Sequence, residues 1–386
     1  MMIIIFWVSI SLLFYTYAGY PILLWVFSHR RRRVSISPTY KPNVTMVVPA
    51  YNEEELIEEK ILNCLSLNYP REKLEVIVVN DGSTDGTGEI ISRYAKSGIM
   101  VQENSAPVGK IGVMNATVPG AHGEVVVFSD TSAMLERDAV TQLVNHFHNE
   151  EVGCVSGRYI YDDSKSTSTA SHGNEGLYWK YEAFVKEREG KLGTVIGSHG
   201  ALYGIRKELF SPLKTHTIND DLVLPLMAIE KDYKTVYEKG SVARERSGSD
   251  IENEFFRRVR IMRGNCRQIF DFWRLLNPFR KMVSLQFISH KLLRVLSPIL
   301  VVGMLVASIV CSHSFCRLML WGQGLFYLTA LFGSFQQRGE IRFRLFSLPY
   351  YFVFIQCATV IGILQFLFGS KKIQWGSKTV SSGSSL

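Results

Sequence analysis

Acidic side chains recur at the ends of apolar runs in this chain. Asp130 closes EVVVFSD (124–130) and is followed by Thr131 and Ser132. Asp81 closes KLEVIVVND (73–81) and is followed by Gly82, Ser83 and Thr84, and Glu53 stands just after NVTMVVPA (43–50). Each acid alone fits the cap of a following helix. Together they are a cluster of like charges that needs a cation or hydrogen-bond donors between its members. INDDLVLPL (218–226) sets Asp220 and Asp221 before a further apolar run. One acid suffices to support a helix N-terminus; a second, held near an apolar wall, has its pKa raised and suits a general base. RRVRIMR (257–263) puts Arg257, Arg260 and, less well aligned, Arg263 on adjoining helix turns. Such a helix suits lipid headgroups, or the phosphates of a pyrophosphate leaving group that guanidinium matches bidentately.

Other chemistries lack their residues. GSTDGTG (82–88) does not have the G-x-x-x-x-G-K-[ST] spacing of a P-loop, and no G-x-G-x-x-G follows a strand. His146 and His148 are two apart on an expected helix, point in different directions and read as surface residues. The six cysteines form no C-x-x-C pair, as expected for a reduced compartment without structural zinc.

The elements that must position the acids alternate in type. Strands are expected at 43–50, 73–81 and 124–130. Asn52 and Glu55 form a capping-box pair opening a helix with Leu56, Ile57, Ile61 and Leu65 on its apolar side. Further helices are expected over 84–96, 137–148, 174–188 and 252–276, and SHGALYGIRKELF (198–210) reads as a turn, a strand and a helix. Alternation of this kind predicts an α/β fold with a doubly wound, mainly parallel sheet. Ligands bind such sheets at the carboxyl ends of the strands, where Glu53, Asp81 and Asp130 lie.

Membrane segments flank this region. Residues 2–27 carry no charge and are long enough to cross a bilayer, and 295–310, 318–335 and 345–369 are apolar or nearly so. Residues 284–294 suit a helix lying at the interface. The net charge of +8 is unevenly spread: residues 1–42 carry +5, 281–386 carry +9 and 43–280 carry −6. The basic excess therefore flanks the spans, and the mildly acidic middle argues against nucleic acid. Arg30, Arg31, Arg32 and Arg33 follow the first span, which places 43–280 in the cytoplasm of a cell whose inner membrane holds the protein. The sequons at Asn43 and Asn115 would be silent there. The expected organisation is an N-terminal transmembrane helix (1–28), a catalytic domain (43–280), an interfacial helix with two to three C-terminal transmembrane helices (281–370) and a polar tail (371–386).

VVPAYNEE (47–54), VVNDGSTDGT (78–87), GKIGVMN (109–115), FSD (128–130), GALYGIRKEL (200–209) and NDDLVLPL (219–226) together resemble a membrane-bound family 2 glycosyltransferase with a GT-A fold, in the exopolysaccharide- and cellulose-synthase-like branch. The resemblance covers about 47–265. It implies that Pro49, Ala50, Tyr51 and Glu53, with Asp81, hold the base of a nucleotide-sugar, a UDP-sugar first, and that Lys110 approaches the nucleotide. It implies that Asp130 lies beside the diphosphate and a divalent cation (Mg²⁺ or Mn²⁺), as a metal ligand, and that Arg257 and Arg260 meet the leaving group. Asp221 would be the base in an inverting displacement.

The chain departs from the family at two places. The D-x-D element is Asp130-Thr131-Ser132, one carboxylate short, which Mg²⁺ tolerates because it keeps waters and takes substrate phosphates. The Q-x-x-R-W element becomes Arg257-Arg258-Val259-Arg260-Ile261, without the aromatic platform of Trp. The expectation is transfer to a lipid-linked or growing glycan acceptor at the bilayer. The alternatives are a processive, polymer-exporting synthase and a non-catalytic nucleotide-sugar-binding subunit of an assembly machine.

Overall fold

The computed structural model describes residues 1–29, 37–162, 171–246, 251–336 and 344–369. The first apolar run is one helix, α1 (Met2–Ser28), with a π-helical turn at Tyr15–Gly19. The strand–helix alternation follows as β1 (Val44–Ala50), α2 (Ile57–Leu65), β2 (Leu74–Asn80), α3 (Thr87–Arg93), β3 (Met100–Glu103), α4 (Gly109–Thr117), β4 (Val125–Phe128) and β5 (Ala133–Leu135). Next come α5 (Ala139–Val144), β6 (Val152–Asp162), α6 (Ser171–Lys191), β7 (Tyr203–Arg206), α7 (Asp220–Glu230), β8 (Lys234–Arg246) and α8 (Ile251–Asp271). Three apolar helices complete the described chain, α9 (Met282–Val310), α10 (Ser314–Gln336) and α11 (Arg344–Phe368). With α1 they make four helices long and apolar enough to cross a membrane. Arg30–Arg33 and the polar tail lie outside the described residues.

The sheet has the order β3-β2-β1-β4-β7-β6-β8-β5. β3, β2, β1 and β4 are parallel, β7 is antiparallel to both β4 and β6, and β8 runs parallel to β6 and antiparallel to β5. Alternate residues of the central strands enter different cores. Met46, Val48, Val78 and Val127 pack with Ile57, Ile61 and Ile91 on one face, and Val47, Val126 and Phe128 with Met114 and Leu224 on the other. Burial on both faces is why these strands are continuous apolar runs.

Three local expectations are corrected. Asn52 does not cap α2: it has a φ of 53°, and its side-chain oxygen accepts from Thr84 N at 2.9 Å. The side chain ties the β1 turn to the β2 turn, and the helix opens only at Ile57. His146 is buried, with Nε2 2.6 Å from Glu238 Oε2, because the α5 helix gives way to a 3₁₀ turn over Asn145–His148. Residues 284–294 are not a separate helix but the first turns of α9, which continues through a π-helical turn at Ile288–Leu292. Their inner face (Ser284, Gln286, Phe287, Ser289, His290) is buried against the α/β domain. Gln286 donates to the Thr194 carbonyl and His290 Nδ1 lies 2.8 Å from Glu189 Oε1, so protein rather than lipid covers that face.

The apolar helices also grip the domain. Tyr20 on α1 donates to Glu189 on α6 at 2.6 Å. Gly362 lets α11 lie on α8: a Cβ there would stand 2.8 Å from Met262 Cβ and 2.9 Å from the Val259 carbonyl.

Candidate active site

The turns at the carboxyl ends of β1 and β4 open into a cleft of about 330 Å³. Pro49, Tyr51, Glu53, Lys110, Asp130, Asp221, Arg257 and Arg260 line it together. Eight of the ten residues to which the family resemblance gives roles thus converge. Ala50 and Asp81 stand behind the wall. The Asp81 amide donates to the Ala50 carbonyl at 2.8 Å. The fully buried Asp81 carboxylate accepts from Asn104 Nδ2 (2.8 Å), Val108 N (2.9 Å) and Gly109 N (2.7 Å). These bonds satisfy free amides at the start of α4 and so set the position of Lys110. Gly82 permits the same packing, since it has a φ of +68° and a Cβ would stand 2.8 Å from Pro107 N.

Lys110 Nζ lies 2.8 Å from Asp130 Oδ1 and 3.0 Å from Asp220 Oδ2. Against burial, these two carboxylates hold the ammonium above the usual lysine range. Asp220 is buried and also accepts from Tyr203 OH at 2.5 Å, so it is spent on structure. Asp221, one residue on, is different. No side chain among the described residues bonds its carboxylate, while its backbone carbonyl accepts from Ser198 N and Oγ, both at 2.7 Å. Burial, then the neighbouring Asp220 charge, push its pKa up to about 6, against Lys110, Lys186 and Lys291. Such a carboxylate can take a proton from a hydroxyl at neutral pH.

The Asp130 loop is anchored from below. Lys60, buried in α2, donates to Ser129 Oγ at 2.7 Å and to the Ala133 carbonyl. Thr131 Oγ1 donates to the Pro49 carbonyl at 2.9 Å. Burial lowers the Lys60 pKa.

A second cavity of about 360 Å³ adjoins the first on the side of the apolar helices. Asp221, His199, Trp179, Asn219 and Ile261 line both. Its other walls include Tyr178, Lys186, Arg258 and, from α9 and α11, Lys291, Arg294, Tyr351 and Ile355. Arg257 and Arg258 part here: Arg258 sits 4.2 Å over the Tyr178 ring and donates to Tyr351 OH at 3.0 Å, while Arg257 faces the first cleft. Arg263 lines neither cavity. Burial, then Lys186, keep His199 neutral, and burial, then Lys291, pull Lys186 down to about 8.

Several wall residues carried no local signal in sequence. Glu245, Tyr159, Trp179 and His199 reach the cleft from β8, β6, α6 and the turn before β7. For Trp179 the sequence offered only the helix expected over 174–188.

The family model for "Glycosyl transferase family 2" matches residues 45–213, the stretch that carries most of this cleft. The chain carries a family 2 glycosyltransferase domain. The glycosyltransferase domain is 27% identical over 190 residues to a beta-monoglucosyldiacylglycerol synthase of Nostoc, covering 47% of this chain and 40% of that one. It is 30% identical over 145 residues to a poly-beta-1,6-N-acetyl-D-glucosamine synthase of Staphylococcus aureus, covering 34% of each. The chain thus spans less than half the length of these two relatives. A mannosyltransferase of Pyrobaculum calidifontis, solved with GDP-Man and Mn²⁺, superposes with a TM-score of 0.72 at 22% identity, covering 94% of this chain and 99% of that one. That likeness extends the shared GT-A-like fold to the apolar helices.

The glycosyltransferase cleft also bears on a divalent cation. Asp130 Oδ1 is held by Lys110, whereas Oδ2 has no hydrogen-bond partner among the described residues, and the side chain is 41% exposed. A Cβ at Gly200 would stand 3.4 Å from Asp130 Oδ2 and 3.8 Å from Asp221 Oδ2, so glycine leaves these oxygens open. Among the described residues no three His, Cys, Asp or Glu side chains form a self-sufficient metal site. The donor set fits a Mg²⁺- or Mn²⁺-type ion that takes one or two carboxylates and completes its shell with phosphate and water.

Proposed function

We propose that this protein is an inverting glycosyltransferase that moves a sugar from a nucleotide-sugar to a lipid-linked or growing glycan acceptor at a membrane. The observation that carries this reading is Asp221, a carboxylate of raised pKa on the wall shared by two cavities. One cavity presents the donor-side residues, and the other opens toward the apolar helices.

On the donor side, Pro49, Tyr51 and Glu53, backed by Ala50 and Asp81, hold the base and ribose. Lys110 and Asp130 meet the diphosphate. Arg257 and Arg260 compensate the charge that grows on it as the sugar leaves. A cation held at Asp130 supplies charge neutralisation for the diphosphate. Asp221 accepts the proton of the acceptor hydroxyl as its oxygen attacks the anomeric carbon from the second cavity. The UDP-sugars are the first candidates, and the fold neighbour that holds GDP-Man makes GDP-sugars the second. The domain at 43–280 would face the cytoplasm of a cell inner membrane, with α1, α9, α10 and α11 in the bilayer.

Trp179 stands where the two cavities meet, packed among Tyr159, Tyr178 and His199, and this aromatic wall along the path of a sugar chain keeps a processive synthase as a second reading. A donor screen on the purified protein tests both. Nucleoside diphosphate released only with acceptor present, and one sugar added per acceptor, supports the first reading. A ladder of long products supports the second. No release from any UDP- or GDP-sugar overturns both in favour of a silent nucleotide-sugar-binding subunit.

A further inference from the structure

The Asp130-Thr131-Ser132 loop lacks the second acid of the D-x-D element that the family resemblance implies. β5 and β8 pair so that Ala133 lies opposite Glu245, which brings that side chain beside Ser132. Ser132 Oγ donates to Glu245 Oε1 at 2.7 Å, and Tyr159 OH donates to Glu245 Oε2 at 2.7 Å. Glu245 is half-buried and lines the same cleft as Asp130. Among the described residues no Lys or Arg is ion-paired with it.

The arrangement is unlike that of a carboxylate used only for packing. Each hydroxyl occupies one lone pair of one oxygen and leaves the other lone pair available. The two hydroxyls fix the carboxylate's orientation without neutralising it. Asp130 presents its own unoccupied Oδ2 to the same cleft. Two carboxylates are thus held toward the space that a donor diphosphate would enter. Two is the number a Mg²⁺- or Mn²⁺-type ion commonly takes from protein when phosphates supply the rest.

We propose that Glu245 is the second carboxylate of the cation site, brought from β8 to the place that Ser132 leaves empty of charge. Ser132 and Tyr159 are then positioning residues that aim it. This assignment rests on the transferase reading with a divalent cation.

Mn²⁺ binding to the full-length protein in detergent, followed by electron paramagnetic resonance with UDP and GDP, tests it without turnover. Glu245→Gln keeps the shape and removes the charge. It should weaken Mn²⁺ binding about tenfold or more, at least the loss that outer-shell partners cause. Adding Ser132→Asp to that variant should restore Mn²⁺ binding, because it returns a carboxylate to the loop. Glu245→Asp, which keeps the charge on a shorter arm, should lose less than Glu245→Gln. Wild-type Mn²⁺ affinity in Glu245→Gln overturns the proposal. So does a loss that neither Ser132→Asp nor the Asp variant relieves, which would leave Glu245 as a brace for the loop. Sugar transfer that proceeds without any divalent cation overturns this assignment but not the transferase reading, whereas failure of every donor overturns that reading itself.

Discussion

Lys110 and Asp220 meet at 3.0 Å in the wall of the cleft, and the same ammonium reaches Asp130 at 2.8 Å. One cation therefore joins the tip of β4 to the first turn of α7. Asp220 is satisfied by Lys110 and Tyr203, which leaves its neighbour Asp221 as the acid open to chemistry.

Replacing Lys110 by Met should accordingly damage both stability and donor binding. It leaves two carboxylates facing one another without their cation. Breaking a buried pair in this way costs about 3 kcal/mol, the low end because Asp130 is partly exposed. Thermal unfolding of the full-length protein should show a lowered midpoint. Adding Asp220→Asn should recover part of it, and an unchanged midpoint in the single variant would remove the bridge from the account.

Asp221 sets the expected pH dependence. With its pKa raised to about 6, transfer should rise with pH through that value as the carboxylate loses its proton. Asp221→Asn should lower kcat about 10²- to 10⁴-fold, the span of general-base contributions, with donor binding retained. The stability sign is opposite. A carboxylate whose folded pKa is raised stabilises the fold only while protonated, and that stability is lost as pH rises through about 6. Asp221→Asn should therefore be at least as stable as the wild type above pH 6, with the difference fading toward acid. A flat pH–rate profile between pH 5 and 8 would count against Asp221 as base, and the range is set by the pKa of about 6.

The cavity beside α11 invites a blocking variant. Ile355→Trp should fill space on the side away from the nucleotide. Displacing a reacting hydroxyl by about an ångström costs about 10²-fold, so transfer should fall steeply while nucleotide affinity stays at the wild-type value. Equal losses in both would mean that the acceptor enters elsewhere.

The strands that end in Asp81 and Asp130 were legible because burial on both faces writes a continuous apolar run with an abrupt polar end. The adjacent acids Asp220 and Asp221 stood out as a pair where capping needs one, and only the family resemblance separated Asp221 from its neighbour. Lys60, His146, Trp179 and Glu245 were not legible, since each owes its place to a distant segment: 69 residues separate Lys60 from Ser129, and 113 separate Glu245 from Ser132. Periodicity reports which face of its own element a residue occupies, and it is silent on what another element brings there. Asn52 shows the same limit at short range. Its type fits a cap, but a positive φ and a bond to the β2 turn compete with that use and win.

The packing of α11 on α8 links the apolar helices to the arginines of the cleft. At Gly362 even a methyl group would stand 2.8 Å from Met262 Cβ and 3.0 Å from Arg263 N, so Gly362→Leu must push the two helices apart. Overpacking of this kind costs about 1–3 kcal/mol, which should appear as a lower unfolding midpoint. Arg257, Arg258 and Arg260 all stand on α8, one facing Tyr351 of α11 and the others the cleft. Moving that helix should therefore lower both nucleotide affinity and transfer, a joint loss that Ile355→Trp does not share. If Gly362→Leu left both activities intact at a reduced midpoint, α11 would be an anchor only, and the arginines would be held by the α/β domain alone.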